Sequence, residues 1–337
     1  MIPELAAHRH VPDWQQALAD AIRDPAELLR VLGLPAELPG PVREAEGLFP
    51  LLAPRGFVAR MRKGDPHDPL LRQVLPLGEE CRVLPGFSID PVGDGAAQQA
   101  PGLLHKYAGR ALMITTGACA VHCRYCFRRH YPYAEQGASR SRWSETLAYL
   151  ADSPDTDEII LSGGDPLTLS DAKLGELVQA LESVAHLQRL RIHTRLPVVL
   201  PERITQELLD ILAETRLKVV IVVHANHPNE IDATVGAACA ALAERHTVLN
   251  QAVLLRGVND DARVLAELSE RLFAHRVLPY YLHLLDRVQG AAHFEVPVDE
   301  ARKIMRDLHA RLPGYLLPRL AREVAGTAGK QLLGVTE

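Results

Sequence analysis

Residues 111–126 read Ala-Leu-Met-Ile-Thr-Thr-Gly-Ala-Cys-Ala-Val-His-Cys-Arg-Tyr-Cys, a short apolar run followed by a loop that carries three cysteines. The run begins a regular alternation of strand-like and helix-like segments. Strands are predicted at 111–115, 158–161, 189–193, 218–224, 248–255 and 278–284. Helices are predicted near 141–151, 170–185, 202–213, 231–245, 260–275 and 298–312. Six strand–helix units in succession predict an α/β fold with a parallel sheet, either doubly wound or curved into a barrel.

The first hundred residues have a different pattern. Apolar residues recur at helical spacing over 13–32, and Pro25 predicts a break between two short helices, with Asp24 as the cap of the second. Residues 93–102 are predicted to form a flexible loop. We therefore divide the chain into an N-terminal helical extension (1–100), an α/β domain (101–315) and a C-terminal segment (316–337).

Composition excludes several classes of protein. The chain has 337 residues, of which 47% are hydrophobic and 23% charged, and its net charge is −5. This balance is typical of soluble globular proteins and disfavours a nucleic-acid binder that relies on a broad basic surface. No apolar run approaches the roughly 18–20 residues that cross a bilayer, and the first ten residues do not resemble a secretory signal. We expect a cytoplasmic protein without direct contact with membranes or nucleic acids.

Polar and glycine-rich segments follow the predicted strands, where parallel sheets place their chemistry. These segments are the cysteine loop and residues 162–166, 193–195, 224–227 and 285–287. Because the carboxyl ends of parallel strands meet at one edge, an active site is predicted there. No G-x-G-x-x-G follows the first strand, which disfavours a dinucleotide-binding sheet.

Cys119, Cys123 and Cys126 have the spacing C-x3-C-x2-C, which a chain with five cysteines would show by chance in roughly one case in a thousand. Thiolates are soft ligands for zinc or iron–sulfur clusters. Three clustered thiolates suit a [4Fe–4S] cluster with one iron left open. The alternative is a zinc site completed by His122, His130 or a distant cysteine. A disulfide is disfavoured in a reducing compartment.

The C-x3-C-x2-C loop, with an aromatic residue before its last cysteine and a strand before it, resembles the radical S-adenosylmethionine enzymes. The resemblance implies a partial (β/α)6 barrel of the TIM type. It also implies that the open iron of the cluster binds S-adenosylmethionine and that electron transfer yields a 5′-deoxyadenosyl radical. Gly163, Gly164 and Asp165 match a motif of this superfamily that receives the methionine amino group.

A narrower resemblance, to the lysine 2,3-aminomutase family, covers roughly residues 100–330. It rests on segments 126–130 (Cys-Phe-Arg-Arg-His), 162–167 (Ser-Gly-Gly-Asp-Pro-Leu), 226–228 (Asn-His-Pro) and 250–260 (Asn-Gln-Ala-Val-Leu-Leu-Arg-Gly-Val-Asn-Asp). These enzymes also use pyridoxal phosphate, held by a lysine after a glycine-rich stretch. Lys330 fits that position and is implied as the lysine that forms the Schiff base.

The same resemblance implies roles for further residues. Arg128 is implied to bind the substrate carboxylate, and Asp286 and Glu323 its side-chain ammonium. Lys106 and Arg110 are implied to bind the cofactor phosphate, and Tyr107 and Gln251 to contact the cofactors. Two positions depart from the family pattern, since Lys106 replaces an arginine and Glu323 replaces an aspartate. The departures keep the charge of each group but change its geometry.

Few residues follow Lys330, and segments 126–133 and 321–323 resemble the branch of the family that serves β-lysylation of elongation factor P. This implies conversion of L-lysine to (R)-β-lysine, an external reductase, and a functional link to elongation factor P and its lysine ligase. Two alternatives stay open. One is a 2,3-aminomutase that acts on free lysine or another amino acid, unrelated to elongation factor P. The other is a non-catalytic zinc-binding or interaction protein.

Overall fold

A computed structural model describes residues 13–36, 40–133 and 140–334. Its centre is one sheet of ten strands, each paired with its neighbours in the sequence. The strands are β1 Gln98–Ala100, β2 Leu103–Tyr107, β3 Arg110–Thr116, β4 Glu158–Gly163, β5 Arg189–Thr194, β6 Lys218–Val223, β7 Thr247–Val253, β8 Leu278–His283, β9 Arg319–Arg322 and β10 Gln331–Leu332. All pairings from β3 to β9 are parallel, whereas β1, β2 and β10 add antiparallel strands at the two ends.

Helices connect the parallel strands and cover the outer face of the sheet. They are α6 Arg140–Ala151, α7 Asp171–Glu182, α8 Leu196–Val199, α9 Gln206–Glu214, α10 Ala233–Ala243, α11 Ala262–Ala274 and α12 Val298–His309. α11 shows why they form: Asp261 caps its first turn, and Leu265, Leu268 and Leu272 bury one face. The strand–helix units predicted from the sequence are confirmed.

The described residues form a sheet whose two ends do not pair, so the barrel is partial. One further parallel strand, β9, follows the six predicted units and begins beyond residue 315. β1 begins before residue 101, so the sheet runs across both predicted boundaries. The prediction of a flexible loop at 93–102 was wrong, because this segment includes a short 3-10 helix and β1.

Side-chain alternation along the strands decides what faces the interior of the barrel. In β5, Leu190, Ile192 and Thr194 are buried, while Arg191 and His193 point to the other side. In β7, Asn250 and Ala252 are buried, and Gln251 lies on the opposite face. Arg191, His193 and Gln251 line an internal cavity.

Short helices of the N-terminal region cover one side of the barrel. They are α1 Asp13–Ala19, α2 Pro25–Val31, α3 Gly40–Leu48, α4 Arg55–Val58 and α5 Pro69–Arg72. Asp24 caps α2 and Pro25 begins it, as predicted. Trp14 is buried in the same apolar core as the barrel, with the Arg203 guanidinium 4.6 Å from its ring. None of the described helices has the length and apolar character needed to span a membrane.

Candidate active site

A cavity of about 650 Å³ occupies the barrel interior at the carboxyl ends of the strands. Every site residue predicted from the sequence lines it. These residues are Lys106, Tyr107, Arg110, Cys119, Cys123, Cys126, Arg128, Gly163, Gly164, Asp165, Gln251, Asp286, Glu323 and Lys330. Residues separated by more than two hundred positions in the chain thus share one chamber, whose size is that of a small-molecule site.

The cysteine loop leaves β3 and is fastened to the end of β4. Gly164 N–H donates to Thr116 O and Asp165 N–H donates to Ala118 O, each at 2.7 Å. A Cβ atom on Gly164 would lie only 2.1 Å from Ala118 O, so only glycine admits this approach. Gly163 has φ +120°, a conformation that also favours glycine. The two glycines therefore set the position of the loop that carries the thiols.

The three thiols are close enough to influence one another's ionisation. Burial, followed by the proximity of Cys123, raises the pKa of Cys126 to about 11. Burial and the neighbouring Cys126 raise the pKa of Cys119 well above its usual value. Cys123 Sγ accepts a hydrogen bond of 2.7 Å from Arg195 Nη1. Three crowded thiolates need a cationic centre, and this donor set fits an iron–sulfur cluster.

The zinc alternative finds less support in the geometry. In the described part of the chain, no three Cys, His, Asp or Glu side chains are grouped so as to hold one metal ion. One ring nitrogen of His122 donates to Pro50 O, and one of His130 donates to Gln289 O. In a [4Fe–4S] cluster, by contrast, each thiolate binds a different iron, so the sulfurs need not converge on one point.

Two arginines of the cysteine loop, Arg124 and Arg129, hold the loop in place through a shared buried carboxylate. Arg124 is fully buried and makes two hydrogen bonds to Glu80, at 2.9 and 2.6 Å. Arg129 reaches the same carboxylate at 2.7 Å. Because Glu80 is itself buried, the two cations satisfy a charge that would be costly to bury alone.

Asp165 is engaged by protein donors. Its carboxylate accepts hydrogen bonds from Thr194 Oγ1 and from the backbone N–H groups of Leu167, Arg195 and Leu196. Burial nonetheless raises the pKa of Asp165 to about 6. The side chain ties the ends of β4 and β5 together, whereas the resemblance implied a direct contact with the methionine amino group.

Arg128 and Lys106 share a buried partner, Asp94, which sequence reasoning missed. Arg128 Nε and Lys106 Nζ each lie 2.7 Å from a carboxylate oxygen of Asp94. Arg128 Nη1 also donates to Ser162 Oγ at 3.1 Å. Burial opposes ionisation of Asp94, but the two cations outweigh it and lower its pKa. The only sequence signal for Asp94 is its place between Gly93 and Gly95, in the segment that was read as a loop.

Lys330 meets Glu323 at the other end of the cavity. Lys330 Nζ donates to Glu323 Oε2 at 2.7 Å, and the Tyr107 hydroxyl donates to the other carboxylate oxygen. The Arg110 guanidinium lies 4.7 Å from the Tyr107 ring. Burial raises the pKa of Asp286 to about 7, against the opposing influence of Lys330. This end of the cavity thus combines an amine with two carboxyl groups.

Three histidines also line the cavity; two of them lie in segments expected at the active-site edge, and none of the three was assigned a role from the sequence. They are His193, His224 and His283, on or after β5, β6 and β8. The Gln251 side-chain amide donates to His224 Nε2 at 2.7 Å. Burial lowers the pKa of His224 to about 3 and those of His193 and His283 well below the usual value, so all three rings are neutral near pH 7.

Comparison with known proteins identifies the family. Residues 113–268 match the radical SAM superfamily. The chain is 52% identical to an L-lysine 2,3-aminomutase of Escherichia coli (strain K12), over 94% of this chain and 93% of that protein. It is 48% identical to an L-lysine 2,3-aminomutase of Haemophilus influenzae, over 98% of each.

A solved radical SAM methyltransferase from Sphaerobacter thermophilus shares the fold, with a TM-score of 0.50 and 18% identity over 65% of this chain and 68% of that one. Family membership implies a [4Fe–4S] cluster, S-adenosylmethionine and pyridoxal phosphate as cofactors. By its identity to these relatives over nearly its whole length, the chain belongs to the lysine 2,3-aminomutase family of radical SAM isomerases.

Proposed function

We propose that this protein converts L-lysine to (R)-β-lysine by 2,3-amino migration, with pyridoxal phosphate carried on Lys330. The observation that carries the proposal is the shared cavity. It brings the three-cysteine loop together with Lys330, two carboxyl groups and a buried arginine. The relatives described above, which are L-lysine 2,3-aminomutases, support the choice of substrate.

Cys119, Cys123 and Cys126 would hold the cluster, and the backbone at Gly163 and Gly164 would border S-adenosylmethionine. When bound, the cluster and S-adenosylmethionine supply a carbon radical that abstracts hydrogen, and pyridoxal phosphate carries the migrating amino group. The contribution of Asp165 is to hold the ends of two strands in place beside them. Enclosure of these groups in one cavity limits the access of water to a reactive radical.

Arg128 would bind the carboxylate of the substrate. Asp94 and Ser162 hold its Nε and Nη1 atoms, which leaves donors of the guanidinium free for a carboxylate. Lys106 and Arg110 would contact the cofactor phosphate, with Tyr107 and Gln251 beside the cofactors. Lys106 Nζ is paired with Asp94 at 2.7 Å and donates to Val92 O at 2.8 Å, so Arg110 would be the stronger phosphate ligand.

The charged groups at the Lys330 end of the cavity select the substrate. The pKa of Glu323 is lowered, so it is ionised, and Asp286 becomes negative as the pH rises through about 7, while the three histidines are neutral and add no positive charge. A side chain that ends in an ammonium is attracted to this end, whereas the carboxylate of glutamate is repelled. The cavity therefore favours lysine over acidic amino acids.

The test is an assay of an anaerobically reconstituted, chemically reduced enzyme with a panel of lysine, ornithine, arginine and glutamate. We expect β-lysine as the main product, with the R configuration in chiral chromatography. Cys123→Ala is expected to abolish turnover and iron binding. Efficient turnover of another amino acid in preference to lysine, or undiminished product from Cys123→Ala, would contradict the proposal.

We also propose that the β-lysine serves the ligase that modifies elongation factor P, with an external reductase as electron donor and the cytoplasm as location. The support is the resemblance of segments 126–133 and 321–323 to that branch of the family. Purified elongation factor P and its ligase, supplied with the product, should gain the mass of one β-lysyl group. If the ligase modified elongation factor P equally well with unconverted lysine, the proposed link to elongation factor P would be wrong.

A further inference from the structure

The two carboxyl groups beside Lys330 have different partners. Glu323 holds Lys330 Nζ at 2.7 Å and accepts the Tyr107 hydroxyl on its other oxygen. In the described part of the chain, the Asp286 carboxylate accepts no hydrogen bond, and Lys330 acts on it only through its charge. One acid is thus occupied by the lysine, and the other is free for a ligand.

The backbone fixes the pair of Glu323 and Lys330. Glu323 follows β9, Lys330 precedes β10, and the two strands pair with Arg322 opposite Gln331. The residues are therefore neighbours across a hairpin. Their side chains are only 11% and 28% exposed for Glu323 and Lys330, respectively, so solvent screens the attraction weakly. The contact differs in this respect from mobile ion pairs on an open surface.

We propose that the two acids divide the work of substrate exchange: Glu323 receives the ammonium of Lys330 when an incoming amino acid displaces that lysine, and Asp286 receives the side-chain ammonium of the substrate. The inference rests on the proposed function, in which Lys330 carries pyridoxal phosphate. It changes the role implied for Glu323, which becomes a partner of the departing lysine.

The exchange balances without a further reactant. Both imines are protonated: the C=N bond to Lys330 Nζ breaks, and a C=N bond to the amino nitrogen of the incoming amino acid forms. Two protons pass from the incoming ammonium to Nζ, which leaves as an ammonium. Glu323 stabilises that ammonium, so it favours the state in which the cofactor has left the protein lysine.

Other titratable and charged groups face the same pair. They are Lys106, Tyr107, His193, His224, His283 and Asp286. The histidines are neutral near pH 7, and Lys106 is paired with Asp94. Glu323 is consequently the one carboxylate among the described residues that contacts Lys330 Nζ directly.

The test uses norleucine, which has the carboxylate, amino group and carbon chain of lysine but no side-chain ammonium. The enzyme loaded with pyridoxal phosphate is titrated with norleucine or lysine and reduced with borohydride. Mass spectrometry then measures the fraction of cofactor trapped on Lys330 and the fraction trapped on the added amino acid. The variants are Glu323→Gln, Glu323→Asp and Asp286→Asn, with Asp299→Asn as a control at an exposed carboxylate.

We expect Glu323→Gln to weaken exchange with norleucine by about tenfold, and Glu323→Asp, which keeps the charge, to lie between it and the parent. Asp286→Asn should weaken exchange with lysine far more than exchange with norleucine. Parent-like norleucine exchange in Glu323→Gln would overturn the inference and leave the proposed function standing. Failure of the parent enzyme to trap cofactor on Lys330 would overturn both.

Discussion

Replacement of Gly164 by alanine tests how the strand end holds the cysteine loop. The new Cβ atom would lie 2.1 Å from Ala118 O and 2.7 Å from Ala118 C, and both are backbone atoms. Relief requires a shift of about 1 Å in the loop, which strains the bonds from Gly164 N to Thr116 O and from Asp165 N to Ala118 O. Overpacking together with two weakened hydrogen bonds should cost about 3–5 kcal/mol of stability.

The assay measures the urea midpoint of the apoprotein and the iron bound per chain after anaerobic reconstitution. Gly164→Ala should lower both. Gly175→Ala is the matched control, because its nearest contact is Ile211 at 3.7 Å and its helical position favours alanine by about 1 kcal/mol. An unchanged midpoint and unchanged iron content in Gly164→Ala would refute the role assigned to the glycine.

Three further predictions follow from buried charges and thiols. Asp94→Ala removes the shared counter-ion of Arg128 and Lys106 and should cost about 3 kcal/mol in urea unfolding; a parent-like midpoint would contradict the buried pairing. Asp286 has its pKa raised to about 7 and is neutral below that value, so calorimetric affinity for lysine should rise as the pH increases through about 7, and Asp286→Asn should abolish that dependence. Burial raises the pKa of Cys239 to about 12, so iodoacetamide at about pH 8 should modify Cys239 only after unfolding, as read by mass spectrometry of its peptide.

Sequence patterns located the strands and the cysteine loop because each has a local signature, whereas Lys330 was assigned through the family resemblance alone. Apolar periodicity marks β3 to β8, and cysteine spacing marks the loop. Asp94 has no such signature, since its importance arises from two cations brought to it by β2 and by the cysteine loop. Glu80 was likewise missed, because its pairing with Arg124 joins residues far apart in the chain.

The histidines show a second limit of prediction from the sequence. A period of two reveals that neighbouring strand residues point to opposite faces, but it does not tell which face borders the cavity when both faces are covered. Residues 193–195 were expected at the active-site edge because they end a strand, but only the register of β5 against β6 shows that His193 itself lines the cavity. Asp165 shows a related limit, because no sequence pattern predicts that its carboxylate accepts hydrogen bonds from the Thr194 hydroxyl and from backbone N–H groups.

The central claim is that the amino group of lysine moves from carbon 2 to carbon 3 within this cavity. The most direct test incubates the reconstituted enzyme with lysine labelled with nitrogen-15 only at its α-amino group and locates the label by nuclear magnetic resonance. The account predicts β-lysine with nitrogen-15 bonded to carbon 3 and no label released as ammonia. Label that stays on carbon 2, or that appears as free ammonium, would contradict it.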